Sequence, residues 1–187
     1  MLAPARLLNL VVLLALACTL SACLVTSLQP IYDDASLEVD ETLPGTWQAS
    51  EQGATVVVER GEWKSYRLTC TMKGASYALV GYLTRLGDSL FLDLTPASGL
   101  EAGPLTIPAH GICRLRHDGD SVTIAVLDYD WFTVAIKAKK LATLDAALDS
   151  RQNLLVTSKT PIVRAWLSKN LQAADVFREP IAFTRSR

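Results

Sequence analysis

The chain has 187 residues, 18 of them Lys or Arg and 19 Asp or Glu, so its net charge is −1 with both histidines neutral. A balance this close to zero argues against a nucleic-acid binder working through a basic surface. The length beyond the apolar N-terminus suits one domain with a sizeable core, and no later apolar run approaches the ~20 residues a spanning helix needs.

The opening stretch carries one positive charge, Arg6, and no acid, and an apolar run follows from Leu10 to Leu20. That is the layout of a secretion signal over residues 1–22, too short for a comfortable membrane span. It ends in Leu20-Ser21-Ala22-Cys23, which resembles the lipobox of bacterial lipoproteins. The resemblance implies that the Cys23 thiol takes a diacylglyceryl group, that the signal is cut just before it, and that the new amino terminus is acylated. At about 0.8 kcal/mol per buried methylene, two or more chains would hold the mature protein on a membrane. Inner-membrane lipoproteins often place Asp where this chain has Leu24, so the same resemblance implies the periplasmic face of the outer membrane.

Residues 23–44 combine Pro30 and Pro44 with the acids Asp33, Asp34, Glu38, Asp40 and Glu41. Their spacing matches no cation loop, and the expectation is a lipidated Cys23 followed by a solvated, self-repelling tether.

A single domain is expected over 45–187. Ala54 to Arg60 is rich in valine, and Lys64 to Lys73 alternates, with Tyr66, Leu68, Cys70 and Met72 on one face. Period-2 alternation marks strands with one buried side. Ser76 to Leu86, Ser89 to Leu94, Gly111 to Arg116 and Ser121 to Leu127 follow, punctuated by Gly74, Gly87-Asp88 and Asp118-Gly119-Asp120 as hairpin turns. The 96–108 segment reads as a longer irregular loop. Asp128 is placed to cap a helix through Trp131, Phe132 and Ala135, although Phe132, Val134 and Ile136 also alternate as a strand would. Leu154 to Thr157 reads as a strand. Thr160 and Pro161 then open a helix whose stripe is Val163, Trp166, Leu167, Leu171 and Ala174, with Arg164, Ser168 and Gln172 opposite. The fold class is therefore mainly β (α+β): an antiparallel meander forming a small barrel or strongly curled sheet, with one or two C-terminal helices packed on it.

Leu43-Pro44-Gly45-Thr46-Trp47 resembles the Gly-x-Trp motif that opens the first strand of lipocalins. The resemblance implies that Trp47 plugs the closed end of a barrel, often beneath an arginine from a late strand; Arg114, Arg116 and Arg185 are all candidates. Gly45 to Trp47, Leu86 to Leu94, Ile107 to His110 and Leu127 to Trp131 together also resemble a group of uncharacterised bacterial lipoproteins.

Chemistry is sparsely marked. Once Cys18 leaves with the signal and Cys23 is lipidated, Cys70 and Cys113 remain, either as a disulfide in an oxidising compartment or as two buried thiols. His110 and His117 are seven apart, which puts them on opposite faces of a continuous strand and argues against a shared metal. Gly-x-Ser-x-Gly, phosphate-binding glycine loops, His-Glu-x-x-His and Cys-x-x-Cys do not occur. No cofactor and no nucleic-acid partner are implied.

Three readings remain. The first is a non-catalytic envelope lipoprotein acting through protein contacts. The second is a lipocalin-like binder of a small apolar molecule, its cavity lined by Leu68, Leu79, Leu83, Leu92, Ile112, Leu115 and Ile124. The third is an enzyme with a cleft in which His110 or His117 meets a carboxylate.

Overall fold

The computed structural model describes residues 24–97, 108–141, 143–150 and 152–186. Eight strands close into an antiparallel barrel: β3 (Gly45–Ala49), β4 (Ala54–Arg60), β5 (Ser65–Met72), β6 (Ala75–Leu86), β7 (Ser89–Pro96), β8 (His110–Asp118), β9 (Ser121–Val126) and β12 (Ile181–Arg185). The first seven pair in sequence order, and β12 lies between β9 and β3 to complete the ring. The hairpin turns need the left-handed conformation that glycine adopts without steric cost, as at Gly87 (φ 57°) and Gly119 (φ 58°).

Alternation along the strands divides the core in two. Trp47, Val58, Leu68, Leu83, Leu92, Cys113, Leu115, Val122 and Phe183 fill the barrel. Phe91, Ile112, Ala125 and Leu127 point outward, beneath a second layer. Strands covered on both faces read as apolar runs, such as Leu90-Phe91-Leu92, whereas β5, covered on one, alternates as Tyr66-Arg67-Leu68-Thr69. Ile112 belongs to this outer layer, so it does not line the lumen with the other six leucines and isoleucines expected there.

The outer layer contains α1 (Tyr129–Lys137), α2 (Thr160–Asn170) and the small sheet β10 (Ala146–Leu148), β11 (Leu154–Val156) and β1 (Val25–Ser27). Asp128 caps α1, its carboxylate accepting from Trp131 N–H at 2.7 Å. Phe132 packs against Trp131 and Trp166 with ring centroids 5.1 and 5.3 Å away, pairs that contribute about 0.5–1.5 kcal/mol each beyond area burial. At α2 the N-cap is Lys159, not Thr160, because the Thr160 hydroxyl donates to Pro30 C=O at 2.7 Å. Arg164 likewise does not stand free on the polar face. Its guanidinium reaches Ile31 C=O at 2.6 Å and the hydroxyls of Ser36 and Thr84 at 3.2 and 3.1 Å.

Both contacts involve the segment expected to be a tether, and that expectation is corrected. Residues 24–44 are packed: β1 pairs with β8 and β11, β2 (Leu37–Glu38) pairs with β6, and Val25, Ile31, Leu37 and Leu43 are all buried. Four apolar anchors spaced six residues apart outweigh the surrounding acids, which stay at the surface or find partners. No helix among the described residues is long and apolar enough to cross a membrane.

Candidate functional site

The end of the barrel where β3 begins is closed by residues 37–44. Trp47 is 2% exposed, and its indole N–H donates to Leu43 C=O at 2.9 Å. Of the three candidate arginines, Arg185 covers it, with the guanidinium carbon 4.2 Å from the ring centroid. The same guanidinium donates to Pro44 C=O at 2.9 Å and Thr42 C=O at 2.5 Å, and its Nε lies 3.2 Å from Asp120. Gly45 makes this crossing possible: at φ 148°, any Cβ there would collide with the Arg185 guanidinium. Arg114 and Arg116 lie elsewhere, on the outer wall of β8.

His117 points inward, its ring edge-on to Trp47 with centroids 5.5 Å apart. Nδ1 meets Asp40 Oδ2 at 2.6 Å and Nε2 meets Gly119 C=O at 2.9 Å. Both ring nitrogens are engaged by protein groups, so neither is free to act as a base on a substrate. Burial raises the Asp40 carboxyl, but hydrogen bonds from Thr42 and His117 outweigh it and hold the group below its ordinary value. The Tyr66 hydroxyl accepts from Asp40 N–H at 2.7 Å and donates to Asp40 C=O at 3.0 Å. Asp40, expected in the tether, is thus the latch of the plug.

His110, as its odd separation from His117 requires, faces outward. Its Nδ1 lies 2.6 Å from Asp93 Oδ1, while Asp93 Oδ2 accepts from Ile31 N–H at 2.8 Å. Asp93 is fully buried. Ser27, opposite His110 on β1, commits its hydroxyl to Gln29 C=O at 2.7 Å, so this hydroxyl is not poised as a nucleophile at the imidazole. The Asp93–His110 pair instead ties the N-terminal arm to the barrel. Sequence reasoning missed Asp93, although a lone carboxylate within Phe-Leu-Asp-Leu is itself the signal of a partnered buried acid.

Cys70 and Cys113 both face the lumen as free thiols. Burial pushes the Cys113 thiol up to about 12 and raises Cys70 as well, so neither has the character of a reactive thiolate. Among the described residues no cluster of three or more His, Cys, Asp or Glu could hold a metal. The lumen retains an apolar cavity of about 30 Å³ against Trp47, Leu68, Leu92 and Phe183. That is space for one or two waters, against the ~300 Å³ or more of a small-molecule pocket. Leu20, Ser21, Ala22 and Cys23 lie outside the described residues.

No protein-family model, curated protein or solved structure matches this chain.

Proposed function

We propose that this protein is a lipid-anchored, non-catalytic lipoprotein of the bacterial envelope, held at the outer membrane through Cys23 and acting on protein partners through its outer surface. The observation that carries the reading is the filled barrel: with about 30 Å³ in the lumen, the fold offers its surface and not an interior pocket. At the opposite end of the barrel, the β5–β6 hairpin continues the lumen-facing row past Cys70. Met72 and Tyr77 are 45% and 57% exposed there, an apolar lip suited to a protein contact.

The anchor gains a geometric consequence from the packed arm. Val25 is buried two residues after Cys23, so an acyl chain on Cys23 would hold the domain within about 7 Å of chain length from the bilayer surface. The protein would lie against the membrane and not swing on a spacer.

Native mass spectrometry of the full-length chain expressed in a bacterium tests both parts. The expected species carries covalent acyl groups, lost together with membrane association in Cys23→Ser, and no apolar molecule enclosed in the barrel. An apolar molecule that departs only on denaturation would replace this reading with a ligand carrier.

A further inference from the structure

The barrel wall has a notch. β7 pairs with β8 only as far as Leu90↔Leu115, while β8 pairs with β9 to Asp118↔Ser121, so beyond Leu115 one edge of β8 has no strand neighbour among the described residues. The gap lies beside the β6–β7 turn at the plugged end and opens into a cavity of about 360 Å³. Its inner end is closed by the Asp40–His117 pair, and Arg85 nearby is spent in a bidentate contact with Glu38, both N···O distances 2.8 Å.

What remains is an excess of donors. Arg114 and Arg116 sit two apart on the outer face of β8, side by side. The Arg114 guanidinium is fixed by one bond to Leu171 C=O at 2.9 Å and by stacking on Phe177, 4.3 Å from the ring centroid, with its other N–H groups uncommitted among the described residues. Burial and the neighbouring Arg116 both lower the Arg114 pKa, a sign of positive charge held without compensation. Arg116 makes no hydrogen bond or ion pair among the described residues, and the hydroxyls of Ser89 and Thr123, which border the same cavity, are likewise uncommitted. Asp88 also borders it but makes no ion pair there. A guanidinium held by Leu171 and Phe177, a second one two residues along the same face, and two uncommitted hydroxyls on the same cavity supply donors of the kind a tetrahedral oxyanion takes.

We propose that this notch binds a phosphate group, carried by a small molecule or a lipid headgroup, in the fork between Arg114 and Arg116. The volume exceeds phosphate alone, so the group arrives as an ester whose remainder occupies the cavity towards Asp88. The proposal is independent of the anchor at Cys23.

The test titrates inorganic phosphate into the full-length chain in non-ionic detergent at constant ionic strength. The readouts are the thermal unfolding midpoint and the 15N resonances of the arginine side chains. Expected are a saturable rise in midpoint and shifts at Arg114 and Arg116. Arg116→Gln, which removes an exposed and unpartnered group, should unfold as the parent does without phosphate and bind it about tenfold more weakly. A rise matched by chloride, or equal in Arg116→Gln, overturns the proposal. Dihexanoylphosphatidylglycerol, used below its micelle concentration, separates the sources. Binding about tenfold tighter than inorganic phosphate assigns the group to a headgroup, equal or weaker binding to a soluble ester, and both sustain the site.

Discussion

Removing the Asp93 carboxylate should detach the N-terminal arm from the barrel. In Asp93→Ala the Ile31 N–H loses its acceptor in a fully buried site, a cost of about 1–3 kcal/mol for one unsatisfied donor. His110 escapes part of the penalty, because a neutral imidazole can move its proton to Nε2. The void left by the carboxylate adds to the loss, giving about 2–4 kcal/mol in all. Asp93→Asn is the informative control. Its carbonyl can still accept from Ile31 while its amide donates to a His110 Nδ1 that has given up its proton, so the loss should stay within about 1 kcal/mol. Urea unfolding followed by far-ultraviolet circular dichroism gives both values. Hydrogen exchange at Ile31 should accelerate in Asp93→Ala beyond what the global loss explains, since the arm opens locally. Equal losses in the two variants, or less than about 0.5 kcal/mol in Asp93→Ala, would refute the assignment of Asp93 as the anchor.

Trp47→Ala should lose about 3–5 kcal/mol in the same assay, and Arg185→Gln less, because only the indole fills the barrel end. Asp40 has its folded pKa depressed, so its contribution is present above the unfolded value of about 3.9 and is lost as pH falls through the folded one. Acid unfolding at and below pH ~4 should therefore be less steep in Asp40→Asn, and an unchanged profile would remove the latch from the account. Cys113 should resist alkylation in the native protein, Cys70 should react slowly, and both should react in urea without reductant. A thiol pair that appears only after reduction would contradict the free cysteines.

The strands were legible because a side-chain period of two is a local property. β4 spans the predicted residues, and β5 to β9 match within a few residues at each end, with glycine turns where the sequence places them. The cap of α1 was legible for the same reason, since Asp128 and Trp131 N–H are three residues apart. The site was not. Asp40 looked like one acid among five, and nothing local distinguishes it from Asp33 or Glu41; its role comes from His117 and Tyr66, which chain closure brings to it. The Gly45-x-Trp47 motif marked the plug but left three arginines open, and only the lie of β12 beside β3 selects Arg185.

By itself, then, the sequence determined β4 to β9 and β11, the turns between them, the helix from Thr160 and which face of these strands is apolar, because these depend on neighbours within a few residues. Tertiary structure decided that the meander closes through β12, that residues 24–44 form an arm and not a tether, and that the lumen is filled. Those outcomes turn on which distant apolar surfaces meet. Many pairings of similar strength compete for each surface, and only their joint packing selects one.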